Sequence, residues 1–339
     1  MTREGPPGRA GGPDPGPLLA LNFGFARARV LDTADELGVF AALDGGPRTA
    51  AALAAELECD PVGTARLLDA LAELGLLSAE EPAGYALTDA AAAFLLPASP
   101  SYLGGHFAEV LDQWDNWAAL TSLVRTGHRG PRAATPAERG EHPGMFAGAF
   151  PLAAPIAAAV VAALGLRPAG DVLDYTAGSG EWGIALAAAG PEARITAHDR
   201  PELLETARRR VAQTPDAGRF TWAPGDFGPR PPFPDAGFDL VVAAHAGRFA
   251  GAAETRRLIG VCARLLRPGG TLLLADVMRA EPGAPALSRS MLDLSLLVNT
   301  RHGGLRDPAD HRTDMEHCGL VPKETVTRGL VTALTGERQ

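Results

Sequence analysis

Cysteine is scarce in this sequence of 339 residues, and its three copies, Cys59, Cys262 and Cys318, are scattered along the chain. No Cys-x-x-Cys spacing occurs. Zinc sites and disulfide frameworks use cysteines at short, recurring spacings, so we predict neither a metal site nor a disulfide framework. A reducing, cytoplasmic location is consistent with this sparse usage.

Basic residues are in the minority, and lysine is nearly absent. The chain has 31 Lys and Arg residues against 40 Asp and Glu residues, which gives a formal net charge of −9. Because an excess of negative charge repels phosphate groups, we expect no nucleic-acid partner.

Long apolar runs are also missing. The alanine-rich stretch at 152–164 is too short to cross a bilayer, which takes about 20 apolar residues. The first residues lack the charged-then-apolar pattern of a secretory signal. We therefore expect no membrane association.

Glycine and proline are plentiful, and together with changes in periodicity they divide the chain into four predicted segments. The first 17 residues are rich in both and are predicted to be disordered. Residues 18–100 carry helical patterns followed by two short strands, and residues 101–165 form a helical connector. Residues 166–339 alternate strand and helix patterns, as an α/β domain does.

The second segment has the pattern of a winged helix. We predict one long helix over 21–43, because its apolar residues recur at helical spacing. Two shorter helices follow, one capped by Thr49 and one that begins at Pro61. Two short strands, at 76–77 and 84–88, complete the pattern.

A winged helix can bind DNA, which would make the protein a regulator. The helix that begins at Pro61 offers one base, Arg66, and its neighbours Asp69 and Glu73 would repel phosphate. A DNA-binding regulator is therefore the less favoured alternative.

The segment 171–183, D-V-L-D-Y-T-A-G-S-G-E-W-G, predicts a strand, a tight turn and a helix. Asp174 ends the strand. Gly178 and Gly180 allow the backbone to approach a ligand closely, and the helix that follows presents free N–H groups. Corners of this kind hold nucleotides in parallel sheets.

Two later predicted strands also end in acidic residues. Asp199 follows Asp174 by 25 residues, and Asp226 is followed by Phe227. In a parallel βαβ unit the acid after the second strand reaches the ribose hydroxyls. No G-K-[S/T] motif is present, and acidic residues follow three predicted strands. We therefore predict a pocket for an adenosine without phosphates.

This series of motifs resembles the S-adenosylmethionine (SAM) fold of class I methyltransferases. More narrowly, it is similar to the small-molecule O-methyltransferase family of bacterial secondary metabolism, which has an N-terminal winged-helix dimerisation domain. The run R-L-L-D-A-L-A-E-L-G-L-L at 66–77 resembles that domain. A helix that stops at R-P-G-G, 267–270, before a strand that begins at Thr271 is a second family mark. Thr176 departs from the family, which usually has glycine there.

The resemblance implies a Rossmann-like α/β domain with a mostly parallel seven-stranded sheet, preceded by a mainly α-helical dimerisation domain. It also implies a homodimer that uses SAM as cofactor and releases S-adenosylhomocysteine (SAH). The expected reaction transfers a methyl group to an oxygen, or an activated carbon, of a small aromatic or polyketide-like intermediate of antibiotic biosynthesis.

The resemblance also assigns candidate binding residues. For the cofactor they are Asp174, Tyr175, Thr176, Gly178, Gly180, Asp199, Arg200, Asp226, Phe227 and His245. For the acceptor they are Trp117, Met145, Phe146, Phe150, Met291 and Asn299. Phe150 stands where the family usually places a methionine against substrate or cofactor.

The catalytic residues depart from the family pattern. The family uses a histidine base in a His-Asp-Trp setting after the fourth strand, and Arg248 stands in that place here. His245 lies three residues earlier, and Asp276 at the end of the fifth strand could orient a base. In the C-terminal part, Arg306 stands where a glutamate is usual.

Three interpretations stay open. His245 could act as the base with help from Asp276. No base would be needed if the acceptor is acidic or is an activated carbon, and Arg248 would then stabilise its anion. In the third, the protein keeps SAM but performs a cyclisation, a hydroxylation or a decarboxylation instead of methyl transfer.

Overall fold

The structure is a computed structural model, and it describes residues 14–80, 82–111, 113–127, 143–279 and 287–339. The chain divides into two compact units, Met1–Gly104 and Gly105–Gln339.

The first unit is mainly helical and has one hairpin of two antiparallel strands. Its elements are α1 (Gly16–Asn22), α2 (Gly24–Glu36), α3 (Val39–Ala42), α4 (Ala50–Glu56), α5 (Pro61–Glu73), β1 (Leu77–Glu80), β2 (Gly84–Leu87) and α6 (Asp89–Leu95).

Two helix starts are as predicted. The Thr49 hydroxyl accepts a hydrogen bond from the backbone N–H of Ala52 at 3.3 Å, which caps α4. Asp60 caps α5 by accepting from Gly63 N at 2.7 Å, and Pro61 is the first helical residue. The helix pair and the hairpin after it confirm the winged-helix pattern.

The prediction of one helix over 21–43 is wrong. The chain leaves the helix at Phe23 and again at 37–38, where Gly38 has a left-handed φ of 76°. The apolar spacing continues across both breaks, so periodicity could not reveal them. At the other end, α1 begins at Gly16, inside the segment predicted to be disordered.

The second unit alternates helices with the strands of one sheet. Its helices are α7 (Gly104–Leu111), α8 (Trp114–Ala118), α9 (Leu120–Thr126), α10 (Pro143–Ala163), α11 (Glu181–Ala189), α12 (Pro201–Val211), α13 (Gly247–Leu265), α14 (Leu287–Asn299) and α15 (Pro308–His317). Its strands are β3 (Asp171–Asp174), β4 (Arg194–Asp199), β5 (Phe220–Pro224), β6 (Phe238–Ala244), β7 (Leu266–Val277), β8 (Leu320–Arg328) and β9 (Val331–Arg338).

The sheet confirms the Rossmann-like, mostly parallel prediction. Its seven strands run in the order β5-β4-β3-β6-β7-β9-β8, and β9 pairs antiparallel with both neighbours. The strands from β5 to β7 are parallel. The order reverses between β3 and β6, and in open parallel sheets such a switch point opens a crevice at the carboxyl ends of the strands.

Helices cover both faces of this sheet. On one face α10 and α11 pack apolar side chains such as Val160 and Trp182 against Val172 of β3. On the other face α13 packs through residues such as Ile259 against Val241 of β6. Burial on both faces explains why these strands read as nearly continuous apolar runs.

Helix α13 ends at Leu265, directly before the predicted stop at 267–270, but the strand that follows does not begin at Thr271 as predicted. Strand β7 begins at Leu266, directly after α13, and Leu266 pairs with Phe238 of β6. The register then shifts, and Thr271 pairs with Leu240. The Arg-Pro-Gly-Gly segment is therefore the irregular first part of a strand, although glycine and proline suggested an end to regular structure.

Helix α10 is 21 residues long, contains Pro151 and Pro155, and lies within the predicted helical connector at 101–165. Within the described residues, no helix combines the length and apolar character needed to span a membrane.

The wing of the first unit depends on a close backbone approach at Gly84. Its φ is 98°, and a Cβ atom there would lie 2.2 Å from the carbonyl oxygen of Arg48. Gly84→Ala should therefore destabilise the chain by roughly 2–4 kcal/mol, from strain and overlap together. Thermal unfolding should show a lower Tm for this variant.

Gly45→Ala is the matched control, because Gly45 is exposed and a Cβ there would meet nothing within 4 Å. It should leave the Tm unchanged. Equal Tm values for the two variants would contradict this account of the wing.

Candidate active site

Three acidic side chains lie at the carboxyl ends of neighbouring strands, as the sequence indicated. Asp174 ends β3, Asp199 ends β4 and Asp276 lies near the end of β7. Each is less than 4% exposed. A buried carboxylate requires hydrogen bonds or a positive partner, so the partners of these three groups define what the crevice can bind.

The loop after β3 is built for close approach. Gly178 and Gly180 have φ values of 52° and 91°, in the left-handed region that glycine tolerates. Gly180 caps α11, and a Cβ there would lie 3.3 Å from Ala207 of α12. The loop therefore presents backbone N–H groups and the start of α11 to the crevice.

Asp199 is tied to this loop. Its two carboxylate oxygens accept backbone hydrogen bonds from Gly178 at 2.9 Å and Arg200 at 2.8 Å. Burial nevertheless raises the pKa of Asp199 to about 6. The group therefore changes its charge close to neutral pH.

Asp174 has an unused acceptor. Its Oδ2 accepts a hydrogen bond from the Gly183 N–H at 2.9 Å, while its buried Oδ1 has no partner among the described residues. Burial, together with the nearby Glu181 carboxylate, raises the pKa of Asp174 well above its usual value. A ligand that brings a donor or a positive charge would relieve this cost.

Thr176 links the loop to β6. Its hydroxyl accepts a hydrogen bond from Ala244 N at 2.7 Å and donates to Ala244 O at 2.8 Å. A glycine could make neither bond. The hydroxyl thus fixes the loop beside Ala244, the residue before His245.

Tyr175 and Phe227 belong to the core. The Tyr175 ring is fully buried and stacks on His198 with the centroids 5.1 Å apart. Phe227 meets Tyr175 edge-on at 5.5 Å. Tyr175 can therefore offer a ligand its backbone but not its ring, whereas Asp226 before Phe227 is exposed.

His245, Arg248 and Asp276 form one cluster where β6 and β7 end. The Arg248 guanidinium donates from one nitrogen, Nη1, to Asp276 Oδ1 and to His245 Nδ1, the latter at 2.8 Å. The Arg248 backbone N–H donates to Asp276 Oδ2 at 3.0 Å. Burial alone would raise the pKa of Asp276, but the positive Arg248 guanidinium holds it well below its usual value.

The cluster adjoins the loop. The rings of His245 and Trp182, the second residue of α11, lie 6.1 Å apart. Together with the Thr176 bonds, this contact brings the predicted catalytic residues and the predicted cofactor loop into one crevice.

The predicted acceptor residues are only partly brought together. Asn299 of α14 is buried, and its Oδ1 accepts a hydrogen bond from Asn116 of α8, the helix that carries Trp117, at 3.1 Å. Phe150 lies under Arg210, with the guanidinium 3.9 Å from the ring centroid. Met291 is 52% exposed.

Met145 and Phe146 lie in α10, but their side chains are outside the described part of the structure.

Glu181 is a site residue that was not predicted: it is a buried acid in the first turn of α11 and accepts a hydrogen bond from Ser179 at 2.8 Å. An acid directly after the glycine loop could have indicated it. Arg306, which stands where the family has a glutamate, faces the buried Asp314 at 2.7 Å. The described residues contain no group of side chains suited to hold a metal ion.

Comparisons with known proteins agree with this architecture. A family model described as "O-methyltransferase dimerisation domain" matches residues 19–97, and one described as "Methyltransferase domain" matches residues 172–270.

Relatives align over most of their length. The chain is 29% identical to the tetracenomycin polyketide synthesis 8-O-methyl transferase TcmO of Streptomyces glaucescens, over 87% of this chain and 88% of that protein. It is 30% identical to the mitomycin biosynthesis 6-O-methyltransferase of Streptomyces lavendulae, over 90% and 89% respectively. The solved mitomycin 7-O-methyltransferase MmcR is 26% identical, with a TM-score of 0.80 over 96% of this chain and 97% of that one.

Two matched domains and a 30% identical relative aligned over nearly nine-tenths of its length leave no doubt about the family. The chain belongs to the SAM-dependent small-molecule O-methyltransferases with an N-terminal dimerisation domain.

Proposed function

We propose that this enzyme methylates an oxygen, or an activated carbon, of a small aromatic or polyketide-like natural-product intermediate. The observation that carries the proposal is the crevice in which Thr176 fixes the glycine loop beside the cluster of His245, Arg248 and Asp276. The relatives named for tetracenomycin and mitomycin biosynthesis support the substrate class.

The crevice fits SAM. Asp199 would accept hydrogen bonds from the ribose hydroxyls. The unpartnered Oδ1 of Asp174 would be stabilised by a hydrogen-bond donor or a positive charge, and the ammonium and sulfonium groups of SAM supply these. Gly178 and Gly180 leave room for the methionine part. We place the adenine near the exposed Asp226 and near Phe227.

Bound SAM supplies a methyl group that is already activated: as an acceptor lone pair bonds to the methyl carbon, the carbon–sulfur bond breaks and its electron pair goes to sulfur. The protein therefore has to position the acceptor, exclude water and control charge. Arg248 and His245 lie where those tasks would be performed.

The acceptor would lie between α8, α10 and α14. Asn299, held by Asn116, is the best supported wall residue because its amide is fixed. We propose Trp117, Phe150 and Met291 as further residues of these walls. Met145 and Phe146 remain candidates on the family resemblance alone.

We also propose that the enzyme is a cytoplasmic homodimer that binds no nucleic acid. The dimerisation domain carries a strip of exposed apolar side chains on and between α1 and α2, including Leu18, Leu21 and Phe23, each more than half exposed. A surface of this kind is typical of a partner interface. The winged helix is poorly suited to bind DNA, because the carboxylate of Asp69 on α5, which accepts a hydrogen bond from Tyr85 at 2.6 Å, would repel phosphate.

One observation favours a second candidate function, in which SAM is bound without methyl transfer. Arg248 stands where the family has its histidine base, and arginine cannot accept a proton. Cyclisation, hydroxylation or decarboxylation would then be the chemistry.

Calorimetric titration with SAM and with SAH separates the two functions. A methyl donor site should bind both, and the SAM-loaded enzyme should then transfer labelled methyl groups to an acceptor from a panel of hydroxylated naphthalenes and naphthoquinones. Binding of SAM alone, without transfer, would favour the second candidate. If neither compound binds, the cofactor assignment fails.

The affinity for SAM should rise from pH 5 to pH 7 with a midpoint near 6, the pKa of Asp199. The ionised carboxylate makes stronger hydrogen bonds to the ribose and attracts the positive cofactor. Calorimetry across this range should show a change of about tenfold in Kd. Asp199→Asn should bind more weakly and lose this pH dependence.

The free energy of unfolding should change with pH in the opposite direction to the affinity for SAM. A carboxyl whose pKa is raised in the folded state stabilises the fold below its unfolded pKa of 3.8, and that contribution is lost as the pH rises through about 6. A pH-independent SAM affinity in the wild type would contradict the assigned role of Asp199.

A further inference from the structure

The hydrogen bond between Arg248 and His245 determines where the histidine proton is. A guanidinium can only donate, so His245 Nδ1, 2.8 Å from Arg248 Nη1, must accept. A ring that accepts at Nδ1 is neutral and carries its proton on Nε2. His245 therefore presents an N–H donor from its other nitrogen.

The surroundings keep the ring in this state. At 3.8 Å, His245 Nδ1 is too far from Asp276 Oδ1 for a hydrogen bond that would put the proton on Nδ1. The Trp182 ring of α11 is a neighbour of His245, and Asp276 also acts on the charge state of His311 of α15. Burial and Arg306 lower the pKa of His311, which favours its neutral form.

Asp276 is no better as a base. Its Oδ1 accepts from Val277 N at 2.8 Å and from Arg248, and its Oδ2 accepts from the Arg248 N–H. With its pKa held well below the usual range, the carboxylate stays ionised, and both of its oxygens already accept hydrogen bonds. The cluster thus offers donors and a positive charge but no free proton acceptor.

Arg248 has a donor to spare. Its Nε is buried and has no hydrogen-bond partner among the described residues. The guanidinium lies 4.6 Å from the centroid of the Phe249 ring, and the side chain is only 16% exposed. In so little water, an unused N–H of a cation favours an anion.

We propose, on the basis of the methyl-transfer function above, that the acceptor is an acidic hydroxyl bound as its anion. Hydroxyquinones and enolised 1,3-dicarbonyls are the chemical class, because they lose their proton to solvent near neutral pH. His245 Nε2–H and Arg248 hold the acceptor oxygen. One lone pair of that oxygen would form the bond to the methyl carbon while the bond from that carbon to the donor sulfur breaks and its electron pair stays on sulfur. The anion becomes a neutral ether, and the protein accepts no proton.

Two histidine variants separate a donor from a base. Glutamine keeps an N–H near the position of Nε2 but cannot act as a base, whereas leucine keeps neither. With a hydroxynaphthoquinone as acceptor, His245→Gln should lose at most about fivefold in kcat/KM and His245→Leu at least about fiftyfold. His317→Gln, at an exposed histidine of α15, is the control and should match the wild type.

Loss of a general base would instead cost both variants about a hundredfold or more. That result would overturn the proposal if, in addition, the rate of the wild type rises with pH and the rate of His245→Gln does not.

A second measurement does not depend on turnover. The absorbance of a hydroxynaphthoquinone reports its ionisation, and its titration midpoint can be followed on the SAH-loaded enzyme. The midpoint should fall by about one pH unit on binding, a tenfold preference for the anion. Arg248→Gln should abolish this shift, and Arg248→Lys should keep part of it. Arg194→Gln, at a 68% exposed arginine of β4, is the control.

Neutral naphthol provides the comparison ligand, and it should bind at least tenfold more weakly than the ionised quinone. Weaker binding of the quinone than of naphthol, or an unshifted midpoint in the wild type, would overturn the proposal. If SAM and SAH bind while this result is negative, the methyltransferase assignment stands and the anionic acceptor alone is wrong.

Discussion

The ion pair between Arg248 and Asp276 is the constraint on which the rest of the site depends. Asp276 is 2% exposed, and a carboxylate so deeply buried requires a positive partner and several donors. Meeting that requirement draws Arg248 onto the end of β7. The same guanidinium nitrogen then reaches His245 and makes it accept. An arginine in place of a base therefore alters the chemistry of its neighbours as well as its own position.

The glycine loop and the cluster of His245, Arg248 and Asp276 carry ionisable groups of opposite kinds. On the loop side, Asp174 and Asp199 are buried acids whose pKa values are raised, which suits the positive charge of SAM. On the other side, Arg248 suits a negative acceptor. Because both reactants lose their charge in methyl transfer, the charges of the protein bear mainly on binding and orientation. The proposed function and the proposed acceptor class follow from this one arrangement.

Much of the fold could be predicted because its signals are local. Glycine turns, caps such as Thr49 and apolar strands report on their own neighbourhood, and the family resemblance supplied the topology. The helix breaks at Phe23 and Gly38 escaped prediction, since apolar spacing continues through them. The irregular start of β7 did as well, because Leu266 already pairs with Phe238 of β6 before the register shifts across the glycines.

The sequence by itself determined which residues end the strands, and so placed Asp174, Asp199, His245, Arg248 and Asp276 at one edge of a parallel sheet. It left open whether His245 is a base. Only the tertiary structure bears on that question, because the position of the histidine proton depends on the 2.8 Å contact with Arg248 and on the distance to Asp276, a residue 31 positions away in the chain. Sequence spacing specifies neighbours along a strand, whereas hydrogen-bond direction is decided by side chains that meet only after the sheet has formed.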